Sequence, residues 1–272
     1  MQKYKVCLDA GHYGKYNRSP ANKEYYESDM TWKLHLLLKK ELEALGVEVI
    51  TTRANQATDL ALTSRGKKSK GCHLFLSLHS NAVGSNVDEK TDYPLTVVPV
   101  SGKGDELGKA LAECIAKVMQ TKQAGKYKPR KGINGDWYGV MCGAAQVGTV
   151  GLLIEHSFHT NTRSTNWLLN DSNLAKLAKA EAKVILEWLK ANFKLEPTKP
   201  VSTFKEYRVK VICDSLNIRK TPNWKDSDIV GAITNKGTYT IVGETILEGT
   251  KFGKLKSGKG WISLGSKYVK KL

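Results

Sequence analysis

Short apolar runs alternate with longer amphipathic segments along the first two-thirds of the chain. The runs predict buried strands, and apolar residues three or four positions apart predict helices. The predicted strands are Val6–Leu8, Val47–Thr52, His73–Leu78, Tyr93–Val100, Trp137–Met141 and Val147–Glu155. The predicted helices are Glu27–Leu45, Asp105–Met119 and Asn173–Phe193, and the basic segments Asp59–Lys70 and Lys122–Lys131 are expected to be connections. This alternation indicates an α/β domain over residues 1–193, with a mainly parallel sheet flanked by helices.

The pattern changes after Phe193. Residues 194–206 contain two prolines and no hydrophobic periodicity, which predicts a linker. Residues 207–272 contain short apolar runs separated by glycines, which predicts a second domain in the form of a small all-β barrel.

Composition narrows the class of protein. The 272 residues are 40% hydrophobic, which is enough for a sizeable core. No stretch approaches the about 18 consecutive apolar residues of a membrane span, and the first ten residues do not resemble a secretory signal. The formal net charge of +17 favours an anionic partner such as nucleic acid, an anionic membrane or a cell-wall polymer. Residues 1–195 carry +9 and residues 196–272 carry +8, so the small domain is the more basic per residue.

Five cysteines are spread along the chain without a C-x-x-C spacing. Cys7, Cys72 and Cys114 lie within apolar patterns, which is typical of free buried thiols. We therefore expect synthesis in a reducing compartment and no disulfide framework.

Ionisable residues follow or end three of the predicted strands, namely His12, His79 and Glu155. If these strands are parallel, the three side chains share one edge of the sheet, which is where open α/β sheets bind ligands. Glu27 would join them from the first turn of the first helix.

This set of residues fits a hydrolytic zinc site. Such a site needs about three protein ligands and an open position for water, with a carboxylate nearby as general base. His12, Glu27 and His79 would be the ligands. Glu155 would take a proton from the attacking water and pass it to the leaving amine.

Each of these residues also has a purely structural interpretation. A histidine after a strand is commonly a loop residue, and Glu27 could simply favour the helix macrodipole. Glu155 is harder to explain in this way, since burial of an unpaired carboxylate is costly. His156 should point to the opposite face of its strand from Glu155, whereas His159 is a competitor for a role in the site.

Four segments together resemble the zinc-dependent N-acetylmuramoyl-L-alanine amidases of the type-three family. The segments are VCLDAGH, the helix that begins at Glu27, LFLSLHSN and GLLIEHSFHTN. The resemblance covers about residues 3–193 and implies zinc ligation by His12, Glu27 and His79, with Glu155 as the catalytic residue. His156–Ser157–Phe158 departs from the commoner small residue followed by Gly-Phe, and this departure affects the interpretation of His156 and His159 but not the zinc set.

The C-terminal part has its own resemblance. The segments SLNIRKTP, DIVGAI, KGTY and KGWI are similar to the corresponding stretches of bacterial SH3 domains. Such domains usually hold peptidoglycan, so the resemblance implies a cell-wall-binding domain at residues 207–272.

Together, the two resemblances imply a phage endolysin of a Gram-positive host, with a prophage gene product or a bacterial autolysin exported in another way as alternatives. The implied reaction is hydrolysis of the amide between N-acetylmuramic acid and L-alanine, with one zinc ion per catalytic domain. The protein would be made in the host cytoplasm without a signal peptide and would act on the cell wall after release. The alternatives are a zinc peptidase that cuts within the peptide stem or cross-bridge, and a non-catalytic basic protein that binds wall or nucleic acid. The sequence shows no nucleic-acid-binding signature and does not determine the oligomeric state.

Overall fold

The computed structural model describes residues 3–133, 135–195 and 204–272. The chain divides into two compact units, Met1–Glu196 and Pro197–Leu272. Most of the predicted linker, residues 196–203, lies outside the described residues.

Six strands of the first unit form one sheet in the order β2-β1-β3-β8-β4-β5. The strands are β1 (Lys5–Ala10), β2 (Glu48–Thr51), β3 (Leu74–Asn81), β4 (Leu95–Val98), β5 (Lys126–Pro129) and β8 (Val150–Phe158). The first four in spatial order are parallel to one another. β4 runs antiparallel to β8, and β5 runs parallel to β4. The mainly parallel sheet is therefore confirmed, with its reversed strands at one side.

Six helices accompany this sheet. They are α1 (Glu27–Ala44), α2 (Leu62–Lys67), α3 (Asp105–Met119), α4 (Gly139–Gln146), α5 (Thr162–Leu169) and α6 (Asp171–Asn192). α1, α3 and α6 contribute to the larger core with alternate residues of the strands, such as Leu76 and Ile154. α4 packs on the other face against Phe75 and Leu153. The result is a mixed α/β unit with helices on both faces of the sheet.

Two local predictions differ from the structure. The predicted strand Trp137–Met141 is wrong, because Gly139 begins helix α4. The basic connection Lys122–Lys131 contains the exposed edge strand β5, and it runs into the two-stranded ribbon of β6 (Lys131–Gly132) and β7 (Gly135–Asp136). Polar edge strands of this kind lack the apolar alternation that a prediction depends on.

Over its described residues, 204–272, the second unit is all-β apart from one short 3₁₀ turn at Asp226–Asp228. Seven strands form one sheet in the order β11-β10-β14-β13-β12-β9-β15. They are β9 (Tyr207–Val211), β10 (Leu216–Arg219), β11 (Ile229–Ile233), β12 (Thr238–Leu247), β13 (Thr250–Leu255), β14 (Trp261–Ser263) and β15 (Val269–Lys271). Their inward residues form a separate core that includes Val209, Ile241 and Ile262. The likeness of this unit to an SH3 domain stays a prediction.

The five cysteines are free, and Cys7 and Cys72 are buried. Among the described residues, no helix combines the length and apolar character that crossing a membrane requires.

Candidate metal centre and catalytic site

The three ionisable residues predicted to share one sheet edge lie together there. β1 and β3 are parallel, and the backbone amide of Gly11 just beyond β1 donates to the Leu78 carbonyl at 2.9 Å. His12 follows directly. His79 on β3 lies opposite Glu155 on β8 in the parallel register. These three residues are far apart in the sequence, and the parallel strands thus bring them side by side at one edge of the sheet.

Glu27 completes this group from the first turn of α1. His12 Nε2 lies 3.1 Å from Glu27 Oε2, and His79 Nδ1 lies 2.9 Å from Glu27 Oε1. One ligand atom from each of the three residues lies within 4.8 Å of the others. The carboxylate thus stands between the two imidazoles, with one oxygen directed at each.

Further hydrogen bonds fix the Glu27 carboxylate. Asn17 Nδ2 donates to Oε2 at 2.8 Å, and the backbone amide of Ser80 donates to Oε1 at 3.0 Å. Burial alone would raise the pKa of Glu27, but its contacts with His12 and His79 hold that pKa well below its usual range. Glu27 is therefore ionised and held in place by protein groups.

A network of hydrogen bonds between buried polar residues supports His79. Arg65 Nε and Nη2 each donate to the Asp9 carboxylate at 2.8 Å, and Ser77 Oγ donates to it at 2.7 Å. Since Ser77 gives its hydrogen to Asp9, its oxygen can only accept from His79 Nε2, which lies 3.1 Å away. Nε2 then carries the ring hydrogen, and Nδ1 presents a lone pair to the site. The sequence analysis missed this network, although a carboxylate inside the apolar run VCLDAGH signals a buried partner.

The donor set fits a divalent metal ion. Nδ1 of His79 and Oε1 of Glu27 are both acceptors at 2.9 Å, and two acceptors repel at that distance unless a cation or a proton lies between them. Asn17 Nδ2 lies 3.2 Å from His12 Nε2, which favours the acceptor form of that nitrogen as well. Two imidazole nitrogens and one carboxylate oxygen are ligands that zinc accepts readily.

Glu155 lies beside this group without a partner of its own. Its side chain is buried, and its Oε2 atom has no hydrogen bond among the described residues. Burial raises the pKa of Glu155 well above its usual range, and the negative charge of Glu27 adds to this effect, while Arg130 opposes it. A buried carboxylate with a raised pKa next to a metal-ligand set is suited to accept and return a proton.

One cavity of about 370 Å³ holds all four side chains. It is also lined by Asn17, His159, Tyr138 and Val140. Another cavity, of about 440 Å³, is lined by Val150 and Gly151 at the opposite end of β8, so it lies away from these groups.

The two histidines next to Glu155 have different environments. His156 is buried on the other side of β8, where Nε2 contacts Glu181 of α6 at 2.8 Å and Nδ1 donates to the His79 carbonyl at 2.9 Å. His159 lines the cavity, but its Nδ1 donates to the Ser80 carbonyl at 3.0 Å. Burial lowers the pKa of His159, which favours its neutral form. His156 therefore supports the strand of His79, and His159 forms part of the cavity wall.

Two backbone features set the directions of these side chains. His12 itself has φ +58°, in the left-handed region, and a Cβ on Gly11 would come within 2.5 Å of the His79 ring. In β8, Ser157 has φ +63° and lies where the register with β3 shifts, as in a β-bulge. The Ser157 hydroxyl donates to buried Asp92 at 2.8 Å, which helps to hold this conformation.

Comparison with known proteins gives a family match over the first unit. Residues 6–187 match the profile of the family described as N-acetylmuramoyl-L-alanine amidase. No curated protein sequence matches the chain.

Solved structures resemble the same part of the chain. The N-acetylmuramoyl-L-alanine amidase from Clostridium difficile 630 gives a TM-score of 0.60 at 18% identity, covering 71% of this chain and 100% of that one. The catalytic domain of CwlV, an amidase from Bacillus (Paenibacillus) polymyxa var. colistinus, gives 0.57 at 20% identity, covering 69% and 98%. The amidase AmiC2 of Nostoc punctiforme gives 0.55 at 22%, covering 70% and 98%. At these identities the likeness shows a shared fold.

Proposed function

Because the chain belongs to the N-acetylmuramoyl-L-alanine amidase family over residues 6–187, we propose that it hydrolyses the amide between the lactyl group of N-acetylmuramic acid and L-alanine of the peptidoglycan stem. The observation that carries this proposal is the position of Glu155, unpaired and buried, in the same cavity as His12, Glu27 and His79. A metal-ligand set and a free carboxylate are the two components that metal-assisted amide hydrolysis requires.

The metal in this proposal is zinc, held by His12, Glu27 and His79. When bound, zinc would supply Lewis acidity toward the scissile carbonyl and would lower the pKa of water. The protein prepares its ligands through Ser77, which orients His79, and through Asn17 and the Ser80 amide, which orient Glu27. These contacts leave one nitrogen of each histidine facing one oxygen of the Glu27 carboxylate.

Glu155 moves the proton in this reaction. Its carboxylate takes a proton from the water that attacks the carbonyl carbon, and the protonated side chain then donates to the nitrogen of the leaving alanine. The raised pKa of Glu155 favours this second step, since it favours the acid form that donates the proton.

The second unit is proposed to hold the enzyme on the cell wall. Residues 207–272 carry much of the positive charge, and the walls of Gram-positive bacteria are polyanionic. A catalytic unit joined to such a unit is the organisation of a phage endolysin, and this is the role we propose.

Digestion of purified Gram-positive peptidoglycan, followed by end-group analysis, tests the reaction. We expect new N-terminal alanine without new reducing sugar, loss of activity with a chelator, and recovery with zinc. A different new N-terminus would identify a peptidase that cuts elsewhere in the stem or cross-bridge. The absence of new ends on walls of several chemotypes would contradict the proposal and favour a binding protein.

The variant Glu155→Gln separates proton transfer from metal binding. We expect kcat/KM to fall by about 10²–10⁴, because the carboxamide cannot take up the proton. Zinc content and affinity should stay near those of the unmodified protein, since Glu155 is not in the ligand set. A folded variant with full activity would show that another group transfers the proton.

A further inference from the structure

The cavity of the candidate site continues into a second, more polar one. This neighbouring cavity has a volume of about 450 Å³ and shares Asn17, Ala82 and His159 with the site. It is also lined by Arg18 and Lys23. A substrate that extends from the metal ligands past His159 would therefore meet two cations.

These two cations have no carboxylate partner. Among the described residues, no acidic side chain lines the cavity. Arg18 Nε donates to the Lys23 carbonyl at 2.9 Å, and its guanidinium lies 5.8 Å from the centre of the Tyr26 ring. Since the Nε hydrogen is already used, the terminal nitrogens of Arg18 and the ammonium of Lys23 remain for an anionic ligand.

The loop that carries the cations is anchored to the site. Ser19 is buried between them, and its hydroxyl oxygen accepts from the backbone amides of Ala21 at 3.0 Å and Asn22 at 3.2 Å. The Asn22 side chain in turn donates to Asn166 of α5 at 2.8 Å. The positions of Arg18 and Lys23 are thus set by the fold, as a specific subsite requires.

Tyr138 also lines the cavity of the site, and Arg130 donates to the Tyr138 hydroxyl at 2.9 Å. The Arg130 guanidinium lies over the rings of Trp137 and Tyr138, 4.9 Å and 5.3 Å from their centres. Arg130 is thus engaged with two aromatic rings, whereas the terminal nitrogens of Arg18 remain for a carboxylate.

We propose that the cavity lined by Arg18 and Lys23 binds a carboxylate of the stem peptide. This inference rests on the proposed function and names a subsite for its substrate. The nearest such carboxylate belongs to the glutamate that follows the alanine, and it can be free or amidated. The enzyme should therefore prefer a stem in which this group is the free acid.

The test uses two soluble muramoyl dipeptides in which the γ-carboxyl of that glutamate is amidated, so that they differ only in the free or amidated α-carboxyl. For the zinc-loaded protein we expect kcat/KM to be about tenfold higher for the acid, the scale of a partly exposed charge-assisted contact. In the double variant Arg18→Gln, Lys23→Gln the ratio should fall toward one. Lys40→Gln is the matched control, because Lys40 is exposed about 20 Å along α1 from Glu27, and it should keep the preference.

Binding of the free peptide products separates this inference from the reaction itself. Titration of the full chain with the α-acid and α-amide forms of the alanyl-glutamate dipeptide, both amidated at the γ-carboxyl, should show tighter binding of the acid, lost in the double variant. Equal binding of both forms to the unmodified protein would overturn the subsite. Selective binding without cleavage of either substrate would support the subsite and contradict the proposed reaction.

Discussion

At the scale of single residues, Glu155 is in an unfavourable position for a carboxylate. It is 8% exposed, its Oε2 atom has no partner among the described residues, and the ionised Glu27 lies in the same cavity. Such an arrangement costs stability once the group ionises. The fold tolerates this cost where the group serves a reaction.

The cost of ionising buried Glu155 predicts that the stability difference between Glu155→Gln and the unmodified protein depends on pH. The folded pKa of Glu155 lies above its ordinary value, so its contribution to stability is present below that ordinary value and is lost as pH rises through the folded pKa. In metal-free protein, Glu155→Gln should therefore unfold like the unmodified protein near pH 4 but be more stable near pH 8. We expect a difference of about 1–3 kcal/mol, the range for an unpaired buried polar group.

Denaturant unfolding at the two pH values measures this difference. Glu187→Gln, which removes an exposed carboxylate on α6, is the control and should show little change at either pH. A stability gain for Glu155→Gln that is equal at pH 4 and pH 8 would mean that packing, and not ionisation, is responsible.

Ser77 gives a second prediction at this scale. Its hydroxyl links His79 to the buried Asp9–Arg65 pair, so Ser77→Ala should release the imidazole and leave Asp9 with one donor fewer. Substitution of a residue that orients a metal ligand typically lowers metal affinity by about 10–100-fold. Calorimetric zinc titration should show a loss of this order, with Ser64→Ala, an exposed serine, as control. Unchanged affinity would show that His79 needs no support from Ser77.

At the scale of elements, the cavity wall depends on close contact between α2 and α4. A Cβ on Gly66 would lie 2.0 Å from the Val140 carbonyl oxygen and 2.6 Å from the Ala144 amide nitrogen. Leu62 of α2 and Val140 of α4 both line the cavity. The glycine thus allows two short helices to approach at the backbone and to form one side of the site.

Gly66→Ala should separate these helices. We expect a loss of about 1–3 kcal/mol or more in the free energy of unfolding, since the clash is with backbone atoms that cannot rotate away. Ser64→Ala in the same helix adds no such contact and serves as control. Thermal or denaturant unfolding measures the effect, and a variant as stable as the control would contradict the close approach.

The elements that the sequence predicts well are those with a clear apolar period. The prediction Asp105–Met119 matches α3, because its inward residues recur at helical spacing. α4 was predicted as a strand over Trp137–Met141, because its short apolar stretch contains glycines that pack closely and gives no helical signal. The loop after His12 carries Asn17 and Arg18, and no periodicity marks their positions.

For the site, prediction was possible where a strand fixed the position. His12, His79 and Glu155 each follow or end a buried strand, so parallel pairing alone brings them to one edge. The contacts of Asn17, Arg65 and Tyr138 arise from loops and helix packing. Those depend on the folded backbone and could not be derived from local pattern. The catalytic and metal-binding roles stay predictions until the experiments above are done.

At the scale of the whole molecule, positive charge is spread over both units. Residues 1–195 carry +9 and residues 196–272 carry +8, so attraction to a polyanionic wall should involve the entire chain.

Retention on purified walls should therefore depend strongly on salt. The bound fraction should fall steeply between about 50 mM and 500 mM NaCl, as the screening length shortens from about 14 Å to about 4 Å. Walls stripped of anionic polymers are the control and should show a weaker dependence. Salt-independent retention would indicate recognition through uncharged groups.

The contacts that hold Glu27 and His79 come from the protein itself. Asn17 and the Ser80 amide hold Glu27, and Ser77 orients His79. An ion that binds between these side chains would therefore enter a site that the fold has already arranged, unlike in small domains that fold only around their metal. Under the proposed function, metal loading would be a step that follows folding. The polypeptide could fold first and acquire its activity later, wherever the ion becomes available.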